Sequence, residues 1–218
     1  MTPASAPPTP RVKVRRNAKR GDYDRATIDA ILDEALICHL GFVHEDQPFV
    51  IPTLHARAGD EVLIHGSSAS RALRTLTSGA PLCLTVTLVD GLVLARSAFH
   101  HSMNYRSVVL LGSAELVEGD DAKTVALEAF TEKLMPGRWD AVRWPTRQEL
   151  KGTTVLRMPI DEASAKLRTG PPIDDDEDYE RDTWAGVVPL ALTPGTIVPD
   201  PRLRVGIEVP EHVRSLTE

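Results

Sequence analysis

Between two apolar runs, Val62-Leu63-Ile64 and Leu82 to Val89, the chain carries His65-Gly66-Ser67-Ser68-Ala69-Ser70-Arg71 and then an apolar-periodic segment ending near Leu76. The runs are strand-like, and Gly66 with three serines breaks the first of them before a helix. A strand that passes into a helix over so few residues restricts the architecture, because such a corner belongs at the end of a sheet, where ligand contacts collect, and not in the core. After the turn Gly79-Ala80-Pro81 come the run to Val89 and the segment Leu92-Val93-Leu94-Ala95-Arg96-Ser97. His100-His101-Ser102-Met103-Asn104-Tyr105-Arg106-Ser107 then leads into a third run, Val108 to Leu111. Two polar clusters thus stand at strand ends.

The first cluster has a definite chemistry. A helix start leaves backbone N–H groups without intrahelical acceptors, the helix dipole adds a positive field, and serine hydroxyls add donors. Arg71 places a guanidinium one turn in, able to meet two oxygens of a phosphate at once. The plain alternative is that Ser67 or Ser68 only caps the helix and Arg71 is solvated.

His65-Gly66-Ser67 through Ser70-Arg71, Ser102-Met103-Asn104-Tyr105-Arg106-Ser107-Val108-Val109 and Gly112 together resemble the pyridoxamine 5'-phosphate oxidase-related flavin-nucleotide-binding proteins. Leu40-Gly41-Phe42, Gln47-Pro48-Phe49-Val50-Ile51-Pro52-Thr53 and the region from Ser164 to Gly186 extend the resemblance over roughly residues 20 to 190. It implies a mainly β fold with flanking helices: a Greek-key split β-barrel, homodimeric, holding FMN in clefts between subunits. Ser70 and Arg71 match the Ser-Arg of the family's phosphate-binding Ser-Arg-Lys. The Lys is Ala72 here, and Arg74 stands one turn on as a substitute cation. The resemblance further implies that the strand Ile51-Pro52-Thr53-Leu54 runs along the flavin ring and that Tyr105, Arg106 and Ser107 face the cofactor. His65, Gly66 and Ser67 complete the expected cofactor set. The C-terminal Arg-x-His substrate segment of the oxidases proper is missing, which argues against the vitamin substrate.

A chain of 218 residues is long enough for one domain with a sizeable core. Its formal charge of −6 argues against a general nucleic-acid binder. Cys38 and Cys83 lie in apolar runs without metal or redox spacing, as small hydrophobes of a reducing compartment do. With no signal-peptide pattern and no apolar run of transmembrane length, a cytoplasmic protein without membrane contact is expected.

Along the chain, residues 1–20 form a proline-rich and then basic arm, expected to be solvated and partly disordered. Residues 21–190 form the barrel domain, and 191–218 an extended tail wrapping the body or a partner subunit. Asp24 to Leu36 has the apolar stripe Ile28, Ile31, Leu32, Ala35 and Leu36 of an amphipathic helix. Ile37–Val43, Pro48–Ala56 and Glu61–His65 read as a three-stranded meander, in which Pro52 marks a strand not fully paired and so free to offer backbone to a ligand. Asp120 to Leu134 is a second helix, with Val125, Leu127, Ala129 and Phe130 apolar. Thr153–Met158 is a last barrel strand. Trp184 reads as a packing residue, a lid over the flavin or a dimer anchor.

Seven histidines raise metal and haem chemistry. His100 and His101, if on a strand, point to opposite faces and do not chelate one ion. His65, at the mouth of the serine loop, is suited to hydrogen-bond a ligand or, with haem in the cleft, to act as an axial ligand to its iron. No metal site is assigned, no hydrolase elbow or Rossmann glycine pattern occurs, and no side chain is assigned as catalytic. The expectation is an FMN-dependent oxidoreductase acting on a small organic substrate. Haem and a deazaflavin are alternatives for the cofactor, and nitroimidazole-type reduction or non-catalytic flavin or haem binding are alternatives for the role.

Overall fold

The computed structural model describes residues 6–217. Glu45 and Asp46 both take left-handed backbone angles (φ 48° and 59°), the geometry of a two-residue hairpin turn whose twist matches its flanking strands. That turn joins β2 (Ile37–His44) to β3 (Gln47–Ala58), and Gly59 (φ 58°) leads β3 into β4 (Glu61–Ser67), so the expected meander is present. Before it come β1 (Gly21–Asp22) and α1 (Arg25–Glu34); after it come α2 (Arg71–Thr77), β5 (Leu82–Leu94), β6 (Ser102–Gly112), β7 (Glu115–Leu116) and α3 (Asp120–Leu134). The chain continues through α4 (Arg147–Gly152), β8 (Thr153–Pro159), β9 (Ala163–Arg168), β10 (Gly186–Pro189) and α5 (Glu211–Arg214). Thr146 and Glu149 form a reciprocal capping box at the start of α4.

The strands pair antiparallel in the order β1-β9-β6-β5-β2-β3-β4-β8-β7, with β10 added to β5. Alternate residues of this curved sheet point inward. Leu40 and Phe42, Val62 and Ile64, Leu84 and Val86, Val108 and Leu110, and Leu156 and Met158 meet in one buried cluster with Ile28, Ile31 and Leu32 of α1 and Leu73 and Leu76 of α2. Each such side chain contributes roughly 1.5–3 kcal/mol on burial, so the core, and not helix propensity, fixes where α1 and α2 lie. This is the split barrel with flanking helices that the sequence suggests.

A second, smaller cluster lies on the outer face, where Ala126 and Phe130 of α3 cover Ala56, Leu63 and Val155. Val125, expected on the apolar stripe, is exposed. The i, i+4 pair Ala126 and Phe130 takes the sheet-facing side in its place.

Two other expectations change. The segment Leu82–Val89 and the first half of Leu92–Ser97 join as one strand, β5, which ends at Leu94, with a register shift between Val89 and Gly91. Glycine suits the close approach of β10 there: a Cβ on Gly91 would lie 3.0 Å from the Val188 carbonyl oxygen and 3.1 Å from Val187 Cγ1, closer than a side chain ordinarily sits. His100 and His101 precede β6 in a tight turn and are not on a strand. The His100 ring lies 3.2 Å from the Asp175 carboxylate, and His101 Nδ1 donates to the Ser97 carbonyl at 2.8 Å.

The described part of the basic arm touches the barrel where solvation is expected, because Val12 and Val14 alternate with its charges. Val12 is buried, Val14 N–H donates to Tyr23 Oη at 2.8 Å, and Arg11 pairs with Glu162. At the other end, residues 191–209 run without regular structure along the outside. Residues 1–5 lie outside the described part. Among the described residues no helix is long and apolar enough to cross a membrane.

Candidate functional site

The barrel opens where β3 leaves β4. Their pairing runs from Ala58–Glu61 to His55–Ile64 and stops, while β3 stays on β2 from Gln47 to Leu54 and β4 stays on β8 as far as Ser67. One edge of β3, Gln47 to Leu54, therefore has no strand against it among the described residues. Leu54 and His65 follow the last shared rung on the two sides of the split. Pro48 and Pro52 fall in this stretch; lacking N–H groups, they are at home on an open edge. Ile51 packs on the inner core, Thr53 is half-buried, Pro52 is exposed, and Leu54 packs against the outer cluster under α3.

On the far side of the split, β4 turns sharply into α2. A Cβ on Gly66 would lie 3.1 Å from Leu73 Cδ1, so glycine lets the helix close onto the strand. Ser67 Oγ accepts from the Ala69 N–H at 3.2 Å, its carbonyl accepts from the Ser70 N–H at 2.9 Å, and Ser68 N–H donates to the Gly152 carbonyl at 2.9 Å. The cap is Ser70, not Ser67 or Ser68, and its hydroxyl makes no capping bond. The guanidinium carbon of Arg71 lies 4.0 Å above the centroid of Phe49, which in turn stacks on Phe42 at 5.7 Å. Among the described residues Arg71 has no carboxylate partner, whereas Arg25, Arg57, Arg96, Arg106 and Arg143 all have one. Arg71 is thus a cation held by an aromatic face with its charge uncompensated. Arg74 folds back to donate to the Ser68 carbonyl at 3.1 Å, bracing the loop.

His65 leaves the split on the outer side. Its ring lies 4.1 Å from that of Phe130, centroid to centroid, and Nδ1 is buried without a hydrogen-bond partner. Burial pushes its pKa below the ordinary histidine value, so the imidazole is neutral at neutral pH. The residue borders a cavity of about 340 Å³ whose other walls include Leu127 and Thr131 of α3, Trp139, Arg143 and Glu149. Arg143 and the N-terminus of α4 hold the Glu149 carboxyl down to about 2.

Tyr105, Arg106 and Ser107 are not brought to this place within one chain. They lie on β6, separated from β3 by β5 and β2. Arg106 is engaged by the carboxylates of Glu34 and Asp90, which raise its pKa further, and Ser107 Oγ donates to the Lys166 carbonyl at 3.2 Å. Tyr105 is half-buried between Val89 and Arg168 on the neighbouring strands. Phe49 is part of the site without any local signal in the sequence, because it lies far along the chain from Arg71 and only the closed sheet brings the two together. Among the described residues no group of three or more metal-binding side chains is found.

Residues 24–167 match the family model described as pyridoxamine 5'-phosphate oxidase. The chain belongs to that family. Among solved structures, flavocytochrome Anf3 from Azotobacter vinelandii is 42% identical, with a TM-score of 0.91 over 96% of this chain and 97% of that one. The FAD and heme binding protein from Mycobacterium smegmatis is 40% identical, with a TM-score of 0.87 over 91% of this chain and 97% of that one. A Bacteroides thetaiotaomicron protein provisionally described as a 5-nitroimidazole antibiotic resistance protein shares the fold at 21% identity, with a TM-score of 0.58 over 67% of this chain and 86% of that one. A comparison with curated proteins finds no match.

Proposed function

We propose that this member of the pyridoxamine 5'-phosphate oxidase family binds a flavin nucleotide and haem and passes electrons between them and a small-molecule substrate. The observation that carries the reading is the corner itself: one short stretch ends in a guanidinium, Arg71, with no carboxylate partner among the described residues, and begins with a neutral, half-buried imidazole, His65, whose Nδ1 is buried. Arg71, the Ser70 hydroxyl and the first-turn N–H groups of α2 fit a flavin phosphate. The open edge of β3, with Pro52 and Thr53, offers backbone to the ring. The neutral imidazole of His65, beside a cavity, would be the residue to hold a haem iron. When bound, the flavin supplies one- and two-electron transfer and the haem single electrons. The chain supplies anchoring, orientation and shielding from water. The descriptions of the Azotobacter and Mycobacterium relatives as flavocytochrome and as FAD and heme binding support the pairing.

The reading includes a homodimer. The outer face of β2, β3 and β5 carries an open apolar patch, with Val50 69% exposed beside a groove of about 410 Å³ lined by Gly41, Val43, Pro48, Cys83 and Leu111. A second copy seated there would give Tyr105 and Ser107, remote from the split within their own chain, a place near that of the other. Purified protein should show flavin bands, mass analysis of the released cofactor distinguishing FMN, FAD and a deazaflavin. Hemin should give a Soret band that His65→Ala abolishes while flavin is retained. A colourless protein that takes up no flavin on titration rules the proposal out, and a Soret band unchanged in His65→Ala removes the haem half.

A further inference from the structure

Residues 191–209 leave the barrel after β10, whose end is held by the Leu190 N–H on the Asp90 carbonyl at 3.1 Å. The chain returns at α5, where His212 Cβ would lie 3.8 Å from a Cβ at Gly137 and its Nε2 is buried. Between these anchors every residue but Ile197 and Val209 is exposed. Leu192 is 89%, Val198 85% and Val205 104% exposed. Among the described residues the hydrogen bonds of this span are all local, those of Arg202 and Leu203 to Asp200 and of Ile207 to Arg204.

A span fixed at both ends, extended by Pro194, Pro199 and Pro201, and carrying large aliphatic side chains into solvent is not explained by the barrel it belongs to. Ordering it costs entropy that its own contacts do not offset. Yet the similarity to the Azotobacter flavocytochrome takes in too much of the chain to leave the whole span out, so its course is not peculiar to this sequence. Proline presets the extended form and lowers the cost of holding it against a surface. The same molecule presents an open apolar sheet face and groove that need a cover. One kind of partner satisfies both surplus surfaces at once: a second copy related by a two-fold axis, in which each chain gives an arm and receives one.

We infer that residues 191–209 form an exchanged arm whose aliphatic side chains pack on the partner subunit. The inference rests on the homodimer of the proposed function and adds to it a contribution from the arm. A photoreactive benzoylphenylalanine at position 198 in the full-length, flavin-loaded protein tests it. Irradiation should give a covalent dimer, and mixing isotopically light and heavy chains should give mixed-mass peptides. Leu192→Asp/Val198→Asp/Val205→Asp, harmless if these positions face water, should raise the dimer dissociation constant at least tenfold. If the unmodified protein is dimeric but every crosslink falls within one chain, or the triple variant dimerises normally, the arm is not exchanged and the homodimer stands. If the unmodified protein is a monomer at micromolar concentration, both fail together.

Discussion

Arg106 holds two carboxylates, Glu34 and Asp90, whereas Arg71 lies over Phe49 with none among the described residues. The contrast separates a structural guanidinium from one able to receive an anion, and the sequence offers no means of making it. Charge-assisted bonds to a phosphate are worth about 1.5–3 kcal/mol. Arg71→Ala should accordingly raise the dissociation constant for FMN or FAD on the order of 10- to 100-fold, leaving that for riboflavin, which has no phosphate, nearly unchanged; fluorescence titration checks both. Phe49→Leu should share the effect in weaker form by removing the ring that orients the guanidinium. A fall in riboflavin affinity equal to that of FMN would place Arg71 away from the phosphate. At this scale the sequence shows the types that suit an oxyanion, Ser70 and Arg71, because their chemistry is local. It does not show which of its cations are already paired.

At the level of elements, β3 and α1 meet at a buried histidine. His55 is fully buried, and its Nε2–H and the Lys133 ammonium of α3 both donate to the Leu32 carbonyl at the end of α1, at 2.9 and 2.7 Å. His55 Nδ1 has no partner. Burial, aided by the Lys133 charge, pushes the His55 pKa down to about 4. The unfolded chain therefore takes this proton first as pH falls, and stability present above pH ~6.5 drains away as pH falls toward 4, by roughly 3 kcal/mol for this one group. Urea denaturation at pH 7 and pH 5 should show the loss, and His55→Leu should flatten that part of the profile. The Gly91 bulge is a second such joint. Gly91→Ala would push against the backbone of β10 and cost about 1–3 kcal/mol, read as faster amide exchange at Val187 and Val188. Helices and strands were legible because alternation and 3.6-residue periodicity are properties of short windows. The open edge of β3 was only hinted at by Pro52, since whether a strand has a neighbour depends on where β4 parts from it.

At the scale of the whole molecule, the proposed homodimer can be tested on the outer sheet face. Val50→Asp places a charge on the apolar face without touching the core and should yield a monomer by sedimentation. Because the proposed cofactor cleft then stands open, flavin should also be lost. Unchanged sedimentation would mean that the two-fold lies elsewhere. The family and barrel could be read from the order of motifs. Neither the arm's exposure nor the engagement of Arg106 could be, for both depend on the surfaces left over once the core has closed.

The split along β3 has a practical side. Unpaired backbone on a strand margin is a template onto which another chain can stack; Pro48 and Pro52 blunt it without abolishing it. In a flavin-loaded molecule the ring would occupy that margin, so stripping the pigment should cloud a concentrated solution by light scattering well before circular dichroism reports any unfolding. Handling of the preparation would thus be governed by its colour.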